Sequence, residues 1–368
     1  MEQYRGQRAL LTDLYQFTMA YGYWLSGRHR ERAEFELFFR EAPFQGGFAL
    51  FFGLSDCVTY LQDFSFSPSD ITYLQSIMAD NVDKKFYEYL QTVDASEVTL
   101  SSFQEGSVVF AREPLIKVTG PLLVVQLLET TLLALVNYAS LVGTNAARFR
   151  LAAGPHKKLV EMGLRRAQGP DGGFSASKYS YLGGFDATSN VLAGKLCGIP
   201  VSGTVAHSYV SSFTSPDEVH CRLVQVNENP CMKLSEDLEK MTIPGSKDVY
   251  RLYDSTGYPF LDLLALEGEP QTTLDQEVEF HQVGTVTETV RVTPIRAERQ
   301  HIVYFKHGQR LNHESIASIE LIRTHAQESL NKFSQGHLNL DDPQPYKVAV
   351  TEKLHGLLTS LRRANSLQ

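Results

Sequence analysis

Between Pro121 and His207 the chain runs as one long apolar helix followed by strand and helix in strict alternation. Only about three βα units fit before that pattern breaks. Alternation of this kind builds parallel strands joined by crossovers, and closing an eight-fold barrel takes roughly 200 residues of it. Residues 131–216 cannot close one. The edges of a three-stranded parallel fragment, normally buried, would stand exposed or pair with something else. From about Ser215 to Cys221 the sequence turns abruptly to short strands and turns, so a site built on the parallel strands is expected to be incomplete.

Polar residues bunch where those strands end. Leu159-Val-Glu-Met-Gly-Leu-Arg-Arg166, Gly184-Phe-Asp-Ala-Thr-Ser-Asn190 and Pro200-Val-Ser-Gly-Thr-Val-Ala-His207 each read as a short apolar strand followed by charged or hydroxyl residues. Parallel α/β sheets place their active sites there, which argues for an enzyme.

On either side the strands are grouped. Thr12-Asp13 before Leu14, Phe17, Tyr21 and Trp24 reads as a capped helix closing near Gly27. A strand is expected over Ala33 to Arg40, a turn over Pro43 to Gly47, a helix over Ala49 to Phe64 and a helical pair from Asp70 to Leu90. Short strands follow near Val98, Val108 and Leu115. Beyond Cys221, strands are expected at Arg222 to Val226, Met232 to Leu234, Val249 to Tyr253, Glu277 to Val283 and Thr287 to Val292. A helix from Ile316 to Lys332 and a strand and helix from Tyr346 to Leu361 complete the chain. The expected fold class is α/β plus α+β, an irregular barrel remnant with a discontinuous β-rich sandwich domain. Its expected parts are an N-terminal segment 1–130, a truncated parallel segment 131–216 and a C-terminal segment 217–368 that completes the sandwich.

A net charge of -8 argues against a nucleic-acid or anionic-membrane surface. Residues 121–142 approach the length of a membrane span, but Gln126, Glu129 and Asn137 interrupt them, which favours a buried helix. The N-terminus has no basic region leading into an apolar run, so no secretory signal is read. The four cysteines, Cys57, Cys197, Cys221 and Cys231, show neither a C-x-x-C pair nor zinc spacing. A reducing cytosol is the expected home.

The segments LLTDLYQFTMAYGYW, AEFELFFR, GPLLVVQLLET, SLVGTNAARFRL, GLRRAQGPDGG, YLGGFDATSN, GTVAHSYVSSF and CMKLSEDLEKMTIPGSK together resemble the nicotinate phosphoribosyltransferase family, animal type. The resemblance covers essentially every residue present. In that family the His-containing segment leads into further barrel strands bearing an Arg-x-Asp-Ser-Gly-Asp strand end, a Ser-Asn-Asn turn and a Gly-x-Gly-Thr phosphate loop. None of these occurs here; the chain passes from Phe213 to Cys221 into the stretch that normally follows the barrel. An alternatively spliced or internally deleted product has this form.

The resemblance implies that nicotinate is joined to 5-phosphoribosyl 1-pyrophosphate with coupled ATP hydrolysis, the first step of NAD synthesis from nicotinate. It implies Mg2+ (or Mn2+), ATP as co-substrate and a homodimer. His207 is implied to be the histidine that ATP phosphorylates; from pattern alone it reads first as a strand-end histidine bonded to a backbone carbonyl. Arg165 is implied to bind the phosphoribosyl group, a task suited to a guanidinium fork; otherwise Arg165 and Arg166 are a solvated pair. Asp186 is implied to orient the pyridine, against a plain reading as a cap for the helix starting near Ser189. Thr204 is implied to contact nicotinate, and Tyr15 to stack on nicotinate in the other subunit's site; the plain readings are an ordinary strand threonine and an ordinary buried helix aromatic. Lys233 and Lys247 belong to shared motifs with an expected structural role. Two functional readings stand: the transferase itself, and a catalytically dead variant that acts only as a dimerisation or regulatory partner of the full-length enzyme.

Overall fold

The computed structural model describes residues 8–204, 245–269, 274–283, 288–311 and 318–365. The N-terminal part contains α1 (Leu14–Leu25), β1 (Arg32–Leu37), β2 (Ala49–Leu50), α2 (Leu54–Gln62), α3 (Pro68–Ile77), α4 (Lys84–Leu90), β3 (Thr99–Ser102), β4 (Val108–Val109) and β5 (Ile116–Pro121). The middle holds α5 (Leu122–Ala153), β6 (Val160–Glu161), α6 (Gly169–Leu182), β7 (Ala187–Thr188) and α7 (Val191–Cys197). The last part supplies β8 (Lys247–Tyr253), β9 (Pro259–Leu266), β10 (Val278–Gln282), β11 (Thr289–Val292), β12 (Arg296–Arg299), β13 (Ile302–Lys306) and β14 (Gln309–Arg310). It closes with α8 (Ile319–Asn331), β15 (Lys347–Val350) and α9 (Glu352–Asn365).

Helix and sheet are mixed, and the strands form several separate sheets. Strands from both ends of the chain share one of them, a five-stranded sheet in the order β1-β5-β3-β13-β14. A six-stranded sheet, β11-β10-β15-β9-β8-β12, comes from the C-terminal part, with β15 and β9 parallel. Helix α5 packs against the first sheet's core: Leu123, Val125, Leu127, Leu128 and Leu132 are buried. By length and composition α5 could cross a membrane; in the fold its apolar residues lie in two protein clusters. It runs unbroken across residue 130 and stops at Gly154, whose φ of 74° a side-chain-bearing residue adopts with difficulty.

Several local expectations change. Asp13 stands at the N-cap of α1 without a side-chain bond to the helix, because its carboxylate accepts from Thr130 Oγ1 at 3.2 Å on α5. The helix expected over Ala49 to Phe64 begins only at Leu54; Ala49 and Leu50 pair with β4. The run Phe48 to Phe52 is buried on every side, and such a run has no periodicity to separate strand from helix. The break falls at Gly53, with φ of 102° and room for no Cβ, since one would sit 2.6 Å from the Leu135 carbonyl. Strand β9, also a continuous buried run, was not expected from the sequence, nor were β12 to β14. The expected strands at Arg222 to Val226 and Met232 to Leu234 lie outside the described residues, as does the junction from Phe213 to Cys221.

Candidate functional site

The middle of the chain sets three strand segments side by side. Val160 pairs with Ala187 and Glu161 with Thr188 in parallel register, and Val201 forms a parallel bridge to Thr188. Helices α6 and α7 make the two crossovers, α6 packed on both strands and on α5, α7 on β7 and α6. A Cβ on Gly183 would lie 2.3 Å from the Gly143 carbonyl, so this helix contact requires glycine.

At the C-terminal ends of these strands the polar side chains bond mainly to one another. Glu161 accepts from Ser177 Oγ at 2.8 Å and Thr188 Oγ1 at 2.7 Å, and its other oxygen accepts the Gly163 N–H. Asn190 donates to Ser177 Oγ at 3.2 Å and accepts the Ala193 N–H at 3.2 Å, which caps α7. The helix cap is therefore Asn190 and not Asp186. Arg165 lies in a short 3-10 turn over Leu164–Arg166, exposed, and among the described residues it makes no hydrogen bond or ion pair. Thr204 follows the third strand segment and is exposed. Arg165 and Thr204 thus follow the same ends of the two strand segments that flank β7.

Asp186 is placed at the other end. It precedes β7, and its Oδ2 accepts the Leu159 N–H at 2.7 Å and a bond from Arg150 Nη2. Its Oδ1 has Arg323 Nη2 of α8 at 3.9 Å. Partial burial pushes the carboxyl upward, but the Leu159 N–H and the Arg150 and Arg323 guanidiniums outweigh it and hold Asp186 below the usual carboxylate range. Arg150 also donates to the carbonyls of Gly184 (2.9 Å), Gly154 (3.0 Å) and Lys157 (2.7 Å), tying the end of α5 to both strand entries. Arg323 adds donations to the Tyr181 and Phe185 carbonyls. Sequence reasoning passed over Arg150, Arg323, Glu161 and Asn190. Arg150 and Asn190 sit in shared motifs, but the role of Arg150 depends on Asp186, 36 residues further along the chain.

Tyr15 is 46% exposed on α1. Its neighbour Gln16 is buried against α5, bonded to Glu129 at 3.1 Å, Thr130 at 3.2 Å and Gln126 at 2.6 Å. Arg150, which holds Asp186, lies some twenty residues further along α5, about 30 Å at 1.5 Å rise per residue. Tyr15 and Asp186 therefore stand far apart within one chain. His207 lies outside the described residues. Among the described residues no group of three or more His, Cys, Asp or Glu could hold a metal ion.

Two family models match. The nicotinate phosphoribosyltransferase N-terminal domain matches residues 10–137 and the nicotinate phosphoribosyltransferase C-terminal domain residues 246–358. The nicotinate phosphoribosyltransferase of Homo sapiens is 36% identical over 522 positions, covering 96% of this chain and 96% of the relative. An alignment of 522 positions filled from 368 residues leaves at least 154 positions, 522 less 368, with no residue of this chain. The crystal structure of human nicotinic acid phosphoribosyltransferase superposes with a TM-score of 0.81 at 35% identity, covering 96% of this chain and 100% of that one. The nicotinate-nucleotide pyrophosphorylase of Pyrococcus furiosus shares the fold, with a TM-score of 0.61 at 14% identity over 90% of this chain and 97% of that one. With both terminal domain models matched and more than a third of positions identical to the human relative, the chain belongs to the nicotinate phosphoribosyltransferase family.

Proposed function

We propose that this chain carries the nicotinate phosphoribosyltransferase activity of its family, joining nicotinate to 5-phosphoribosyl 1-pyrophosphate to give nicotinate mononucleotide and pyrophosphate. The observation that carries the reading is the human relative's identity of 36% across 96% of the chain. Departure of pyrophosphate leaves oxocarbenium character at the ribose carbon, so the site must hold charge and align the pyridine nitrogen rather than supply covalent chemistry. Arg165, unpaired at a strand end, suits the phosphoribosyl phosphate; Thr204, beyond the segment on the other side of β7, suits nicotinate. The implied contact of Asp186 with the pyridine does not share a pocket with Thr204, because Asp186 precedes β7 and is held there by Leu159, Arg150 and Arg323; its proposed part is to seat the strand entries. His207 is proposed as the phosphoryl acceptor from ATP, an imidazole being a neutral nucleophile near pH 7.

Tyr15 is proposed to serve the site of a second subunit. Its exposure and its distance from Asp186 along α5 support a homodimer in which each chain completes the other's pocket. The setting proposed is the cytosol. For Mg2+ the described residues make no cage, because Glu161, the carboxylate at the strand ends, has both oxygens spent on Gly163, Ser177 and Thr188. No step is assigned to a protein-held metal.

The three parallel segments are proposed to be a barrel remnant between sandwich segments 1–130 and 217–368. Val191, Leu192, Leu196 and Val201, all more than half exposed, support this reading, since large apolar side chains rarely cluster uncovered. The isolated chain is proposed to be impaired: each lost preorganised contact to carboxylate or phosphate is worth about 2 to 4 kcal/mol, and two together slow turnover by orders of magnitude. The same exposed side chains favour a second reading, a non-catalytic partner of the full-length enzyme. The deciding assay is nicotinate mononucleotide formation by the purified chain with ATP, magnesium and phosphoribosyl pyrophosphate, beside a His207→Ala control. Turnover lost in the control establishes the transferase and removes the proposed impairment. No turnover from folded protein, together with capture of a full-length subunit on co-expression, establishes the partner.

A further inference from the structure

The turn that carries Arg165 is tied to the sheet by one carboxylate. Residues Leu164–Arg166 form a single 3-10 turn that opens at Gly163, and the Arg166 N–H returns to the Gly163 carbonyl at 2.9 Å. The Gly163 N–H itself donates to Glu161 Oε1. Short Asp and Asn side chains make the same bond, to the N–H two residues ahead, when they set the direction of a turn. On its other side the turn is pinned by Leu164, which lies over α6 so closely that a Cβ on Gly173 would meet Leu164 Cδ1 at 2.6 Å. Arg165 sits between these anchors. It is exposed and, among the described residues, makes no hydrogen bond or ion pair, so the backbone of the turn sets where its side chain starts.

Glu161 Oε2 has a different task. It takes the hydroxyls of Ser177 at 2.8 Å and Thr188 at 2.7 Å, both fully buried. Asn190 closes the network, donating from its side chain to Ser177 Oγ at 3.2 Å and from its backbone to Thr188 Oγ1 at 3.0 Å. One acceptor oxygen is enough for the two hydroxyls, and a neutral amide could supply it. The second oxygen is spent on the turn, where a charged acceptor makes the stronger bond.

We propose that Glu161 is a positioning residue for the phosphoribosyl subsite: one oxygen is anchored among buried hydroxyls of β7 and α6, and the other holds the Gly163 N–H so that Arg165 meets its ligand from one fixed turn. Holding the turn before binding spares the cost of ordering it on binding. The inference rests on the reading of Arg165 as the phosphoribosyl ligand.

The test titrates 5-phosphoribosyl 1-pyrophosphate into the full chain by calorimetry, follows the Arg165 Nε–H by NMR, and measures the urea midpoint of each variant. Arg165→Ala supplies the baseline. Glu161→Ala loses both tasks and is expected to lower the midpoint and weaken binding about tenfold, the worth of one hydrogen bond to a charged group. Thr188→Val removes a donor on the buried side, so the midpoint falls while affinity stays within about twofold. Glu161→Asp is too short for Ser177 and Thr188 but reaches the N–H two residues on, and it restores affinity without restoring the midpoint. If Glu161→Ala fails to fold, Gly163→Ala takes its place. Gly163 is exposed with a φ of -87° that suits any residue, and only Glu161 Oε1, at 3.2 Å, lies within 4 Å of a Cβ there, so this variant displaces the carboxylate and weakens binding several-fold. Affinity that falls in step with the midpoint across the variants would overturn the inference, as would parent-like binding by Glu161→Ala or Gly163→Ala while Arg165→Ala loses it. A parent chain that binds no 5-phosphoribosyl 1-pyrophosphate, or Arg165→Ala binding as tightly as the parent, overturns the reading of Arg165 and this inference with it.

Discussion

Arg150 ties the end of α5 to the entries of both β6 and β7, so Arg150→Met is the informative perturbation. Methionine keeps helix propensity and most of the apolar stem. What is lost is the guanidinium's donation to Gly184, Gly154 and Lys157 and its pairing with Asp186. The Lys157 bond is exposed and counts for little; the other two carbonyls are partly shielded, at about 1 kcal/mol each, and the half-exposed ion pair adds about 1 more. A loss of about 3 kcal/mol follows, which at a urea m-value of about 3 kcal/mol/M lowers the midpoint by about 1 M. The local readout is amide exchange: Leu159 N–H bonds Asp186 and Asp186 N–H bonds the Leu159 carbonyl at 2.8 Å, so both lose protection early. Arg150→Lys recovers less than half, because an ammonium cannot span four acceptors in a fork.

The ion pair also carries a pH signature. A carboxyl held low in the folded state contributes stability that is complete above its unfolded pKa of about 3.9 and is lost as pH falls through the lower folded value. Asp186→Asn removes that acid-side slope, and in the double variant the two losses overlap by about 1 kcal/mol. An unchanged midpoint in Arg150→Met, with the Leu159 and Asp186 amides as protected as in the parent, would refute the argument.

Glu113 is buried, and burial followed by the neighbouring Asp262 raises its carboxyl well above the ordinary range. Because a raised carboxyl loses stability as pH climbs from about 4.3 toward the folded pKa, Glu113→Gln should match the parent within about 1 kcal/mol at pH 4 and exceed it at pH 8 in urea titrations. Gly143 of α5 meets the Phe52 ring so closely that a Cβ would sit 2.3 Å away, so Gly143→Ala should cost about 1 to 3 kcal/mol despite better helix propensity. Gly22 of α1 has nothing within 4 Å of a built Cβ, and Gly22→Ala should stabilise by up to about 1 kcal/mol; equal melting shifts for the two would contradict this packing.

The sequence by itself determined the elements whose code is local. The helix expected from Asp70 is α3, which begins two residues earlier on a local capping box, with Asp70 N–H to Ser67 Oγ at 3.2 Å and Ser67 N–H to Asp70 at 2.8 Å. The apolar run from Pro121, the three strand segments near Val160, Ala187 and Val201, and the family motifs were likewise legible, because each is contiguous in the chain. Tertiary structure alone decided the rest. Phe48 to Phe52 and Leu261 to Ala265 are buried on both faces, so no alternation marks them as strands, and only their neighbours β4, β8 and β15 make them so. Asp186 reads as a helix cap until Arg150, 36 residues earlier, and Arg323 of α8 take its charge. Lys117, Asp248 and His301 carry no shared pattern, and Lys117 and His301 come together beside Asp248 only because strands from both ends of the chain share one sheet. Charge and hydrogen bonding act over a few ångströms of space, whatever the separation in sequence, so partners brought together by folding leave no local trace.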